Sequence, residues 1–360
     1  MDSSSGAQRQ APRGLVARIR RQAAPSAKRI LFRVGMYDAV RSVRPSRQLA
    51  ILRYHAICGA EGHAYAEPAI CVTPEAFERH VAYLASRYRI LPLPEAAAYL
   101  RAGKTLPPNA VAITFDDGYA DNLPAARVLH RYGLNATFYI TAGCLRGGAP
   151  FWPSEIRQLV ARVAAPVVDL EASGTRVTIP FQTESDRHAA TRRLARLFKS
   201  HPIPVRERLR DQLRAAAGGG DTTSFMLTWD ELREMQRLGM TIGAHTVTHP
   251  NLPNAGLDDA QSEITGSKAR LEQELDIRVT MFSYPNGGAE RYMTPEIARL
   301  VREAGFDAAT TSWNGFATMT SDLYALERVQ VAESLEELLF ALEVERFLFK
   351  PVPRQQAATT

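Results

Sequence analysis

Cysteine is scarce in this sequence. Cys58, Cys71 and Cys144 are the only three in 360 residues, and they form no C-x-x-C pair and no even-numbered framework. That excludes a disulfide scaffold or a thiolate metal cluster and fits a reducing compartment. No run of 18 apolar residues occurs, so no membrane-spanning helix is expected. Arginines near the N-terminus stand where an export signal would carry its apolar stretch, so no signal is read and a cytoplasmic location is expected. Internal repeats and low-complexity tracts are also missing. With 45% hydrophobic and 23% charged residues, the composition is that of a globular chain long enough for two domains or one large α/β domain.

Acidic residues are almost absent from the first 50 positions. Eleven Arg or Lys face only Asp2 and Asp38 there, a net +9, which leaves the remainder at −3. Residues 1–48 are therefore expected to form a basic, flexible arm. Leu15, Val16, Ile19, Ile30, Leu31 and Val34 among those bases suit a peripheral contact with an anionic membrane, at its inner face. A nucleic-acid partner is not expected, because only Phe32 and Tyr37 interleave with the basic residues and the rest of the chain is acidic.

From residue 49 to 344, short apolar runs alternate with helical periods, the pattern of repeated βα units. Strands are predicted at Leu49–Tyr54, Ala110–Phe115, Ala136–Ile140, Thr241–Ala244, Thr280–Ser283, Asp307–Thr310 and Arg328–Val331. Thr73 before Pro74, Thr294 before Pro295, and Thr228 with Glu231 mark helix starts. About 146–223 breaks the alternation with three helical stretches and reads as a helical insertion carried on a loop, a lid or substrate wall. Residues 345–360 read as a C-terminal tail.

Two motifs carry chemistry. Thr114-Phe115-Asp116-Asp117-Gly118-Tyr119 places adjacent carboxylates at the end of an apolar strand. Such a pair is costly unless a cation or proton intervenes, although a turn in which Asp-Asp-Gly merely caps the next helix would look the same. His245-Thr246-Val247-Thr248-His249-Pro250 follows another strand. Two imidazoles at that spacing, with one carboxylate, would supply three ligands to a divalent metal and leave a site open. His55 ends a third strand, at the rim where a barrel gathers its reactive groups.

Together with Phe282-Ser283-Tyr284-Pro285-Asn286-Gly287, these motifs resemble the polysaccharide deacetylase family, carbohydrate esterase family 4, with its NodB homology domain. The resemblance implies a distorted (β/α) barrel and removal of N-acetyl groups from amino sugars by metal-activated water. Carried over, it makes Asp117, His245 and His249 metal ligands and Asp116 the general base, with the Tyr119 backbone N–H donating to the oxyanion. Zinc is the first expectation for the metal, and cobalt, nickel or iron would satisfy the same donors.

The sequence departs from the commoner family pattern in two places. No histidine follows His249, so the late Leu-x-His acid is missing. In this the chain is similar to an exopolysaccharide-type subgroup with an early Tyr-His, which makes His55 the expected acid. Ser283 also stands where many relatives have an arginine that orients the catalytic Asp, and Arg328 is the expected substitute, against an ordinary surface ion pair. Tyr284, Pro285, Asn286 and Trp313 are expected to shape the substrate groove. The implied partner is an N-acetylated polysaccharide, oligosaccharide or lipid-linked glycan. An O-acetyl esterase or other amide hydrolase, and a catalytically impaired glycan-binding module, are the rival readings.

Overall fold

Strands joined by helical crossovers can pair only in parallel, and their carboxyl ends then share one rim. The computed structural model describes residues 25–287 and 292–347. Its strands are β1 (Ala50–Tyr54), β2 (Arg89–Ile90), β3 (Ala110–Phe115), β4 (Thr137–Ile140), β5 (Val167–Ala172), β6 (Thr175–Pro180), β7 (Thr241–Ala244), β8 (Met281–Ser283), β9 (Ala308–Asn314) and β10 (Leu326–Gln330). Seven of them run in the order β1-β10-β9-β8-β7-β4-β3, all parallel, and β3 closes the circle by pairing with β1 from Ala50↔Val111 to Tyr54↔Phe115. The molecule is thus a closed (β/α) barrel built from the seven segments predicted as strands. The two-residue β2 lies beside the start of β3, on the edge that β4 occupies further along.

Side chains alternate across each strand. Leu52, Ile113, Phe138, Ile242, Phe282, Ala309 and Val329 pack outward against helices, among them Pro74–Arg87, Leu257–Leu275 and Pro295–Glu303. Ile51, Ala112, Tyr139, Met281, Ala308 and Leu326 form the other cluster, inside the barrel, which Leu93, Ala96 and Leu100 of helix Leu93–Arg101 cap. Two residues further along β1, β3, β8 and β10, the inward register passes to Arg53, Thr114, Ser283 and Arg328. A dry floor therefore gives way to a polar mouth.

The 146–223 region has its own apolar core, in which Trp152, Leu159, Leu170, Ile179, Leu194, Phe198 and Leu209 are buried together. Its helices Trp152–Arg162, Glu184–Lys199 and Ile203–Ala216 match the expected stretches, but the insertion is not wholly helical. β5 and β6 form an antiparallel hairpin from Val167↔Pro180 to Ala172↔Thr175. Alternating burial of Val168, Leu170 and Ala172 is the strand signal that the flanking helices overshadow.

The expected flexible arm needs correction over residues 25–43. Helices Pro25–Arg33 and Met36–Val43 pack on helix Leu335–Glu343, with Tyr37, Leu339 and Phe340 in one cluster. Two of the basic side chains are consumed by this packing. Lys28 lies 3.4 Å from Glu337 and over the Phe340 ring, and Arg41 contacts the Tyr83 hydroxyl and the Tyr88 ring. Residues 1–24, with Leu15, Val16 and Ile19, lie outside the described residues, as does the tail from 348. Glu345 and Arg346 are buried rather than trailing free. Among the described residues no helix is long and apolar enough to cross a membrane.

One buried histidine sets a pH dependence of the fold. His80, in helix Pro74–Arg87, is fully buried with Nδ1 3.2 Å from the Tyr54 hydroxyl. Burial pushes its pKa down from 6.5 to about 4, so the unfolded chain takes up that proton first. Stability from this site is complete above the unfolded value and is lost as pH falls towards the folded one. Urea titrations at pH 7 and 4.5 should show that His80→Gln loses about 2 kcal/mol less stability than the parent over that interval. Equal losses would remove His80 as the cause.

Candidate active site

Adjacent residues at a strand end need a backbone device to point into one cavity, and β3 supplies it. Asp116 continues the inward register, while Asp117 has φ 77° and turns beside it. Seven described non-glycine residues have positive φ, and four of them, Asp117, Thr246, His249 and Asn286, lie at this mouth. Left-handed backbone costs on the order of 1–3 kcal/mol per residue, so such concentration marks a site whose geometry the surroundings enforce.

His245 and His249, after β7, meet Asp117 from the neighbouring loop. The two Nε2 atoms lie 3.4 and 3.3 Å from Asp117 Oδ1, and one ligand atom from each residue falls within 4.8 Å of the others. All three are buried. His245 Nδ1 sits 2.7 Å from the Ser283 carbonyl, which accepts its hydrogen and leaves Nε2 as a lone pair aimed at the carboxylate. Burial alone would raise the Asp117 carboxyl, but hydrogen bonds from the two imidazoles, made when Nε2 carries a proton in place of a cation, hold it well below its ordinary value. Burial likewise lowers His249. A carboxylate oxygen facing two imidazole lone pairs is a donor set that fits a divalent cation.

Asp116 is held differently. Arg328 grips it with two hydrogen bonds of 2.7 Å, Nη1 to Oδ1 and Nη2 to Oδ2. The guanidinium is completely buried and also donates to the Thr311 carbonyl at 2.7 Å, the Thr114 hydroxyl at 3.3 Å and the Ser283 hydroxyl at 3.1 Å. Burial would raise the Asp116 carboxyl, and the charge and hydrogen bonds of Arg328 outweigh it and keep the group ionised. His55 Nε2 lies 3.7 Å from Asp116 Oδ2, too long for a hydrogen bond. Burial depresses the imidazole to about 4, against the pull of both aspartates, so His55 is neutral at pH 7.

These groups open into a cavity of about 770 Å³. Tyr119 lines it, with its ring 5.7 Å from Phe151. Asn286 and Trp313 also line the cavity, and Asn286 donates to the Pro250 carbonyl at 3.0 Å. Tyr284 and Pro285 do not line it, which corrects the expectation of a groove wall. Tyr284 is buried, edge-on to Phe282, with its hydroxyl donating to the Tyr324 carbonyl at 2.9 Å, because the end of β8 aims that residue at the helix layer. Other wall residues escaped the sequence reading. Trp152 donates to the His249 carbonyl at 3.0 Å and lines the cavity with Arg157, Arg192, Arg196 and Lys199, all from the insertion. Arg192, Arg196 and Lys199 follow i, i+4, i+7 spacing, a signal available in the sequence.

Comparison with known proteins agrees with this architecture. The family model described as "Polysaccharide deacetylase" matches residues 103–164 and 177–309, more than half of the chain. His55 and Arg328 fall outside the matched segments. The putative polysaccharide deacetylase YxkH of Bacillus subtilis (strain 168) is 24% identical over 308 residues, covering 85% of this chain and 79% of that protein. Among solved structures, the Streptococcus pyogenes deacetylase PplD in complex with acetate superposes with a TM-score of 0.56 at 20% identity, over 83% of this chain and 99% of that one. IcaB from Ammonifex degensii gives 0.51 at 17% identity, over 83% and 99%. BC0361, a polysaccharide deacetylase from Bacillus cereus, gives 0.53 at 18%, over 82% and 69%. At these identities the structures speak for the fold, and the family match speaks for the kind of chemistry: the chain belongs to the polysaccharide deacetylase family of hydrolases.

Proposed function

We propose that this chain is a metal-dependent N-deacetylase acting on N-acetylhexosamine units of a glycan. The observation that carries the reading is the division of two adjacent buried carboxylates, one facing a pair of imidazoles and the other clamped by arginine, at the mouth of one cavity. Asp117, His245 and His249 would hold the metal, zinc first among the ions that suit them. When bound there, a divalent ion supplies Lewis acidity, polarising the amide carbonyl and making water acidic enough to lose a proton near neutral pH.

The chain's own groups account for the remaining steps. Asp116, kept ionised by Arg328, accepts the proton of the attacking water. The backbone N–H of Tyr119 donates to the oxygen that gains charge as the carbonyl carbon becomes tetrahedral. Breakage of the C–N bond releases acetate, and the proton that Asp116 took from the water reaches the departing amine through the neutral His55 imidazole beside it. Asn286, Trp313 and Trp152, which line the cavity, orient the sugar ring.

The wall supplied by the insertion supports a reading of the substrate's charge. Arg192 and Arg196 are exposed to the cavity, and no described carboxylate lies within ion-pair distance of either. Lys199 is close enough to depress the His249 pKa. Like charges at i, i+4 on a helix repel, and an anion lying between them would relieve that repulsion. We read this wall as one for a glycan that carries carboxylate or phosphate groups near the acetylated sugar.

Three outcomes follow. Asp116→Asn should cut acetate release from N-acetylglucosamine oligomers by roughly 10²–10⁴-fold while calorimetry still registers zinc binding. Full activity in that variant would sink the assignment. Arg328→Met leaves the Asp116 carboxylate buried without its partner, and should cost about 3–5 kcal/mol in urea titrations together with kcat. An unchanged urea midpoint would show that the pair is dispensable. The parent should prefer acidic over neutral N-acetylated oligomers in kcat/KM, with a preference that weakens as salt rises and collapses towards unity in Arg192→Ala/Arg196→Ala. A preference indifferent to both would remove the anionic reading and leave deacetylation intact.

A further inference from the structure

Cys58 and Cys71, unrelated by any motif spacing, have their sulfurs 3.3 Å apart. The chain leaves β1 at His55 and returns at Cys71, where Ala56 and Cys71 form a parallel bridge and the Val72 N–H donates to the Ala56 carbonyl at 3.1 Å. Residues 57–70 therefore form a loop tied at its base, with the two thiols at the tie. Gly62 is part of the arrangement, since a Cβ there would come within 2.1 Å of Cys58 Sγ. The same loop carries Tyr65, Glu67 and Ile70 to the cavity wall, and Tyr65 is fixed by a 2.8 Å hydrogen bond to Asp121 Oδ2 and by stacking on Phe225 at 4.4 Å. Cys58 is buried, whereas Cys71 is partly exposed. The contact with Cys71 lowers the Cys58 pKa, so the pair has a preferred thiolate. Cys144 is buried in the same apolar cluster as Cys58, but its sulfur contacts the Val247 carbonyl, 3.8 Å away.

We propose that Cys58 and Cys71 are a disulfide site that clips the wall loop of the active-site cavity. The oxidant is a small disulfide such as oxidised glutathione. The accessible Cys71 sulfur, its proton passed to the Cys58 thiolate 3.3 Å away, displaces one glutathione thiolate, which takes that proton from Cys58, and forms a mixed disulfide. The Cys58 thiolate then attacks the Cys71 sulfur and expels the second glutathione. Two cysteine thiols lose two protons and two electrons, and one glutathione disulfide becomes two thiols. A bond length of about 2.05 Å requires the sulfurs to approach by little more than 1 Å, within the range of side-chain rotation.

The full-length chain, incubated with oxidised glutathione and then denatured and alkylated, should carry one alkyl group, on Cys144. Its peptide map should contain a crosslink lighter by two hydrogens between the segments holding Cys58 and Cys71. The same chain pretreated with dithiothreitol should carry three alkyl groups. Cys58→Ser should instead retain glutathione on Cys71, because the resolving thiol is gone. The oxidised parent should also melt several degrees higher than the reduced one, since the closed loop restricts the unfolded chain. Three alkylated cysteines after oxidation, or a crosslink that involves Cys144, would overturn the proposal.

Discussion

The structure turns on the cost of placing two consecutive carboxylates, 4% and 5% exposed, at the end of a buried strand. Neither can be left uncompensated, and one counter-charge cannot serve both, because their side chains diverge. The fold separates them. Asp116 receives a permanent cation, the Arg328 guanidinium, and is thereby kept ionised and away from the metal-type ligand set. Asp117 receives two imidazoles, which together with it form a donor set that suits a divalent cation. The left-handed turn at Asp117 is pinned by hydrogen bonds from the Asp116 N–H to the Tyr54 carbonyl at 3.1 Å and from the Thr141 N–H to the Asp117 carbonyl at 3.3 Å.

Closure of the barrel is what lets an arginine on the last strand do this. β10 and β3 both flank β1, so Arg328 lies two strands from Asp116 and reaches across the mouth as a strut. It touches β9 through the Thr311 carbonyl, β8 through the Ser283 hydroxyl, and β3 through Thr114, while the Tyr139 ring lies 5.8 Å from its centre. Ser283 is small enough to leave room for that strut. Its hydroxyl accepts from Arg328 while its carbonyl accepts from His245, so one residue couples the clamp on Asp116 to the orientation of the His245 imidazole.

Much of this was legible in the sequence because it rests on local signals. The seven barrel strands announce themselves as apolar runs between capped helices, and the Asp-Asp and His-x-x-x-His elements each stand at a strand end. What escaped was set by distance or by overlap of signals. The β5–β6 hairpin lies between helices and has exposed alternate residues, so its apolar content is low. The basic pattern of residues 25–43 looks like a solvated arm until the acids and rings of Tyr88, Glu337 and Phe340, remote in sequence, are brought beside it. Tyr284 was misplaced because an aromatic within a motif invites a binding role, whereas its parity on β8 sends it outward. The proximity of Cys58 and Cys71 depends on the bridge between Ala56 and Cys71, which no spacing rule records.

The insertion packs around an apolar core of its own and is nevertheless tied to the barrel. It has a separate core, so its outer surface can vary without disturbing the strands. Yet it is fastened to the loop that bears the imidazoles: Trp152 donates to the His249 carbonyl, and Arg206 donates to the Thr248 hydroxyl at 2.9 Å and its carbonyl at 3.2 Å. From the barrel side, Glu263 accepts from the N–H groups of Val247 and Thr248 at 2.7 and 2.8 Å. A loop with left-handed residues at Thr246 and His249 is thus braced from both directions. The insertion that presents Arg192 and Arg196 to the cavity thus also braces the loop of His245 and His249, through Trp152 and Arg206 of its other two helices, so the cavity wall and the imidazoles share one support. These bonds hold the insertion, and the cavity wall it supplies, against the loop that bears His245 and His249.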